Sequence, residues 1–133
     1  MIERVIVGDN CNCNKTNDLE FTLGSTFKIV YTFSNKNFNP PLMIPLNSFD
    51  MTINYYIKGY PNDRFIVKKS GSITQNCILL PEKSSIKVIF DNYKFNTGYL
   101  YADFDFMYYD PELEDRMADT KVTRYTGIKL VSQ

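Results

Sequence analysis

Apolar and polar positions alternate through most of this chain. Over residues 27–33 the odd positions are Phe27, Ile29, Tyr31 and Phe33, and the even ones are Lys28, Val30 and Thr32. Successive side chains of an extended backbone point to opposite faces, so a period of two predicts a half-buried strand. Residues 51–58 repeat the pattern, with Met51, Ile53, Tyr55 and Ile57 on one face and Thr52, Asn54, Tyr56 and Lys58 on the other. The clearest case follows Gly98. Leu100, Ala102, Phe104, Phe106 and Tyr108 share one face, and Tyr99, Tyr101, Asp103, Asp105 and Met107 share the other. Ile86, Val88 and Phe90 alternate in the same way. Further strands are predicted over residues 2–7, 65–67, 72–80 and about 121–131. Turn chemistry separates them at Gly59-Tyr60-Pro61-Asn62-Asp63, Ser70-Gly71 and Pro81-Glu82-Lys83-Ser84-Ser85.

About eight strands with turns at this spacing point to an all-β fold. The expectation is a single antiparallel β-sandwich across residues 1–133, Ig-like or jelly-roll in topology, with a small barrel as the alternative. Ala, the best helix former, occurs only twice, and helical periodicity is nearly absent. Ten Phe and ten Tyr supply bulk for a core between two sheets.

Two regions do not fit a plain sandwich. Residues 34–48 form a long connection that contains Phe38, Pro40, Pro41, Leu42, Met43, Ile44, Pro45 and Leu46. Loops of this length are often functional. A Pro-rich apolar loop either covers its own core or docks on a partner, and Leu42, Met43, Ile44 and Leu46 are its candidate contacts. Residues 103–119 hold seven acids against one base, Arg116, a formal charge of −6. Asp110, Glu112, Glu114 and Asp115 are the candidate polar contacts there. Residues 1–102 and 120–133 each carry +3, so the neutral total conceals a dipolar layout. Such a layout suits oriented contacts with protein neighbours. Without net positive charge, direct nucleic-acid binding is not expected.

The chain contains no His, which removes the usual acid, base and metal ligand of neutral-pH chemistry. No nucleophile elbow, phosphate loop or metalloprotease motif occurs. Asp103 and Asp105 lie about 7 Å apart by strand rise, a spacing that inverting glycosidases use but that any acid-x-acid strand shares. The acidic segment lacks the spacing and glycine of a calcium loop. Cys11, Cys13 and Cys77 leave a zinc site one ligand short, and an odd number argues against a disulfide framework. Cys77 reads as a small buried hydrophobe. No enzyme activity, cofactor or metal is therefore expected. The tyrosines Tyr55, Tyr56, Tyr60, Tyr99, Tyr101, Tyr108 and Tyr109 leave open a platform for sugar rings. The first residues form no signal-peptide core, and no run approaches a membrane span, so synthesis in a cytoplasm without a membrane partner is expected.

A set of short motifs bears a resemblance. Leu23-Gly24-Ser25-Thr26-Phe27-Lys28-Ile29-Val30-Tyr31 resembles a strand opening in the N-terminal domains of phage baseplate upper proteins. Phe49-Asp50-Met51-Thr52-Ile53-Asn54-Tyr55-Tyr56-Ile57, Asn96-Thr97-Gly98-Tyr99-Leu100-Tyr101-Ala102-Asp103 and Thr126-Gly127-Ile128-Lys129-Leu130 resemble later strands of that pattern. Phe, Tyr, Met, Ile, Asn and Lys total 61 residues against 18 for Gly, Ala, Arg and Pro, a bias similar to that of AT-rich crAss-like phages. The resemblance implies a virion β-sandwich made in a bacterial cytoplasm, oligomeric or built into a larger particle. Such a protein does no chemistry. It binds other virion subunits as a capsid decoration, a head-fibre anchor or a tail or baseplate adaptor. A carbohydrate-binding accessory module is the alternative.

Overall fold

The alternating segments form extended strands with their apolar positions turned inward. The computed structural model describes residues 2–8, 19–35, 42–69, 73–110 and 116–132, and of 2–8, 34–35, 42, 108–110 and 116–120 the backbone alone. Ten strands lie among them: β1 (Ile2–Gly8), β2 (Leu19–Thr22), β3 (Phe27–Asn35), β4 (Leu42–Met43), β5 (Phe49–Ile57), β6 (Tyr60–Lys68), β7 (Cys77–Leu80), β8 (Ser85–Phe90), β9 (Gly98–Asp110) and β10 (Arg116–Val131). Two short 3-10 turns, η1 (Leu46–Ser48) and η2 (Pro81–Lys83), interrupt them.

The strands build two five-stranded sheets. The first has the order β1-β3-β8-β7, with β4 paired to the end of β3. The second has the order β2-β10-β9-β5-β6. All described pairings are antiparallel except β2 with β10, which is parallel. If β4 is left out and the rest are lettered A, A′, B, C, C′, D, E, F and G, the sheets read A-B-E-D and A′-G-F-C-C′. That is the immunoglobulin strand order, so of the two expected topologies the Ig-like one is found. The two strands beyond the expected eight, β2 and β4, are both short edge pieces.

The core lies between the sheets and is mostly aromatic. Phe21 of β2 stacks on Phe27 of β3, and Phe27 stacks on Phe90 of β8, at centroid distances of 4.8 and 4.5 Å. Tyr31 of β3 meets Phe104 of β9 edge to face at 5.6 Å. Tyr55 of β5 meets Phe90 edge to face at 4.7 Å. Aromatic pairs of this kind add about 0.5–1.5 kcal/mol beyond the area they bury. The hydroxyls of Tyr31 and Tyr55 form a buried hydrogen bond of 2.7 Å, which joins the two sheets through side chains. In immunoglobulin domains a disulfide joins strands B and F, with a strand C Trp packed on it. Here the same three strands contribute Tyr31, Phe104 and Tyr55.

Local backbone devices set where strands begin and end. Gly59, at φ +92°, closes a two-residue turn that pairs Ile57 with Tyr60. Residues 60–63, expected as a turn, are therefore the first part of β6. Of the strand expected over 72–80, only Cys77–Leu80 is strand among the described residues; Thr74 accepts a turn bond from the Cys77 amide at 3.0 Å. Gly98, at φ +140°, leaves no room for a side chain, because a Cβ there would stand 2.8 Å from Ile57 Cγ2. In β10 two extra residues between Tyr125 and Ile128 form a bulge. Buried Thr126 fills it, donating to the Leu100 carbonyl at 2.7 Å and accepting from the Ile128 amide at 3.2 Å. Because the insertion is even, inward and outward positions stay in phase on both sides of it.

Tyr93, between β8 and β9, clips the far end of the sandwich. Its hydroxyl donates to the Ser25 carbonyl at 2.6 Å and accepts from the Gly24 amide at 3.0 Å. Burial raises this phenol's pKa above its ordinary 10.0. Its contribution to stability is thus complete below pH 10.0 and is lost as pH rises through the higher folded value. Urea melts from neutral pH to about pH 11 should show Tyr93→Phe with a shallower alkaline decline than the parent chain. The variant should also lose about 1–3 kcal/mol at neutral pH.

Candidate interaction surfaces

The two irregular segments come to one end of the sandwich. The pairing of Ser34 with Met43 folds the residues before β5 back along β3. The Ile44 amide donates to the Phe33 carbonyl at 3.0 Å, and the Phe33 amide donates to the Ser84 carbonyl at 2.9 Å. The Ser84 hydroxyl in turn donates to the Ile44 carbonyl. At the same end Phe49 opens β5 opposite Tyr108, and β9 finishes at Asp110, paired with Arg116. In the lettering above, this end carries the B–C and F–G connections, the loops with which variable domains bind antigen.

The candidate contact residues separate here. Met43 is 45% exposed, whereas Ile44 packs partly against the core. Leu46 is only 6% exposed and belongs to the core, so its side chain is not offered to a partner. A residue in a Pro-rich loop carries no periodicity to reveal which way it points, and this is why the sequence grouped all four. Leu42 lies in β4, and its side chain is outside the described residues. Asp110 ends β9, with its side chain likewise outside them. Glu112, Glu114 and Asp115 lie outside the described residues altogether.

A second surface covers the outer face of the β5-β9-β10 sheet. Tyr56 and Tyr101 stack at 6.1 Å, and Tyr101 and Tyr125 meet at 5.2 Å. Tyr99 meets Tyr125 edge-on at 5.8 Å. Cations sit over three of these rings. Arg64 lies 4.3 Å from the Tyr56 centroid, Lys129 5.3 Å from Tyr99 and Lys58 5.9 Å from Tyr101. Tyr55 is wholly buried and leaves the sugar platform read from the sequence. Tyr60 is exposed at the start of β6, and the side chains of Tyr108 and Tyr109 lie outside the described residues. Tyr125 was missing from that platform, although Lys121, Thr123 and Tyr125 alternate as a strand face should.

Beside the tyrosines lies an open depression of about 400 Å3 lined by Thr52, Asn54, Asp103, Asp105, Lys121 and Thr123. Asp103 accepts from Thr123 at 2.7 Å and pairs with Arg64 at 3.4 Å. Asn54 Oδ1 is buried without a hydrogen-bond partner among the described residues. Asp103 is therefore tied to neighbours on β10 and β6. Among the described residues no three His, Cys, Asp or Glu side chains gather as metal ligands do. Cys77 is a free thiol whose burial pushes its pKa up, away from the reactive thiolate. Lys69 is buried, donates to the Phe49 carbonyl and lies over the Phe49 ring; burial lowers its pKa. Lys69 thereby ties the end of β6 to the start of β5.

No known family model matches the chain, and no curated protein matches it. No helix among the described residues is long and apolar enough to cross a membrane.

Tyr56 reports on this surface directly. Partial burial, the charge of Asp103 and a hydrogen bond to Asp103 raise its phenol above 10.0, and Arg64 opposes them. Asp103→Asn should lower the Tyr56 titration point, and Arg64→Ala should raise it. Tyrosine-resolved NMR across the alkaline range, with Tyr56→Phe to identify the signal, measures both shifts.

Proposed function

We propose that this chain is a non-enzymatic structural subunit of a phage virion that works through protein–protein contacts. The observation that carries the reading is the convergence of the exposed Met43 segment and the end of the acidic β9–β10 hairpin at one end of a rigid sandwich. An apolar contact beside a charged one is the usual anatomy of a protein interface, where burial supplies affinity and charge supplies orientation. The motif resemblance to baseplate upper proteins supplies the virion part of the reading. Substituting both Leu42 and Met43 by Ser tests it. The variant should fold with an unchanged far-ultraviolet spectrum, yet its amount in purified phage particles, read by mass spectrometry, should fall several-fold. Normal incorporation of a normally folded variant counts against the loop end as the contact.

One observation favours a second reading, carbohydrate binding. The orphan Asn54 acceptor and the carboxylates of the depression lie next to the tyrosine row, and such groups accept sugar hydroxyls. Against it, three of the four rings are already covered on one face by a cation, which leaves less ring surface for a sugar to stack on. A glycan array separates the two readings, since a virion connector predicts no binding above background.

A further inference from the structure

We infer that the outer tyrosine face is a second docking surface, one that holds an acidic segment of a partner protein in which carboxylates flank an aromatic or aliphatic residue. The inference rests on the protein-contact reading above and adds a contact on a different face from the Met43 end. Strand register arranges the surface in two rows. In the first, Lys58 after β5, Tyr99 of β9 and Lys129 of β10 stand side by side: the Lys58 amide donates to the Tyr99 carbonyl at 2.9 Å, and Tyr99 is paired with Lys129. In the second, two residues along each strand of the β5–β9 pair, Tyr56, Tyr101 and Tyr125 stand side by side in the same way. With neighbouring strands about 4.8 Å apart, the two lysines flank Tyr99 at a backbone separation of about 10 Å. Lys129 lies over the ring of Tyr99, which is 43% exposed, and Lys58 lies over Tyr101. Rings that already hold both ammoniums reduce the ordering cost that binding would otherwise carry.

Charge sets the chemistry of the partner. Arg64, over Tyr56, is paired with Asp103. Lys58 and Lys129 have no carboxylate partner among the described residues, although Glu20 stands opposite Lys129 across β2 and β10. An ammonium held on an aromatic face is partly desolvated, so a carboxylate gains more there than against a lysine in open water. The rings then decide which kind of polyanion fits. A single-stranded nucleic acid needs open ring faces on which its bases stack. Here Tyr56 and Tyr101 stack on each other, and Tyr56, Tyr99 and Tyr101 each carry a cation. The chain's formal charge of zero also supplies no excess of cations to displace counterions from a phosphate backbone. What stays open is the surface of Tyr99 between two ammoniums, which matches one apolar side chain with a carboxylate on either side. Buried tyrosines of this kind are frequent anchors of protein interfaces.

Peptide display against the full chain tests this. Selection from a random peptide library should enrich Asp and Glu on either side of an aromatic or aliphatic residue. A selected peptide, labelled and titrated by fluorescence anisotropy, should lose roughly tenfold or more in affinity on moving from low salt to physiological ionic strength. Lys58→Glu with Lys129→Glu, its far-ultraviolet spectrum unchanged, should weaken binding by about tenfold or more. The same double variant should instead bind a version of the peptide whose acids are replaced by Lys. Selection without acidic enrichment overturns the inference, as does binding that is indifferent to the two reversals. Tighter binding of an oligothymidine than of the peptide through the same lysines also overturns it. Failure of the underlying reading looks different: peptide binding would persist while the Leu42 and Met43 double variant entered phage particles at the normal level. If peptide binding fails while that variant is still excluded from particles, only this surface falls.

Discussion

The contact between Tyr31 and Tyr55 is the point on which the sandwich turns. Two open sheets can slide over one another unless something fixes their mutual register. The single described cysteine, Cys77, is a free thiol, so no disulfide between described residues does this. Shape and a directional bond between side chains do the fixing among the described residues. Tyr31 and Tyr55 project from facing sheets, meet hydroxyl to hydroxyl at 2.7 Å and each pack edge to face on a Phe, Phe104 and Phe90. Ring packing supplies apolar burial, and the hydroxyl pair makes a shifted arrangement costly by leaving buried polar groups short of partners.

From that fixed core the surface follows. Alternation along β5, β9 and β10 sends one set of tyrosines inward and another outward, so the same residue type builds the centre and the outer face. The in-phase bulge at Thr126 keeps Tyr125 and Lys129 on the outer side together. Strand order brings the Met43 segment and the end of the acidic hairpin to one end, while the cation-covered tyrosines cluster toward the other. A module with distinct ends suits the role of a connector.

Much of the fold was legible in the sequence, because period-two alternation is a direct consequence of extended backbone geometry. The faces of residues 51–58 and 99–105 matched residue for residue in burial, from Met51, Ile53 and Tyr55 to Leu100, Ala102 and Phe104, while Phe106 is only partly buried. What escaped were features without periodicity. Strand β4 has two residues, too short for a pattern, and β2 has four. The start of β6 was hidden by Pro61, Asn62 and Asp63, which read as a turn although the neighbouring Gly59 alone supplies the needed conformation. The site was half legible. Acidic and apolar segments stood out by composition, but their convergence depends on strand order, which no local pattern encodes. The burial of Leu46 and the pairing of cations with tyrosines are likewise tertiary facts.

The central claim is that the Tyr31–Tyr55 contact couples the two sheets, and a double-mutant cycle tests it most directly. Urea denaturation of the parent chain, Tyr31→Phe, Tyr55→Phe and the double variant measures the coupling. The bond between the hydroxyls predicts a coupling energy of about 1 kcal/mol, so the double variant should lose less than the two single losses combined. Losses that simply add, to within about 0.3 kcal/mol, would contradict it.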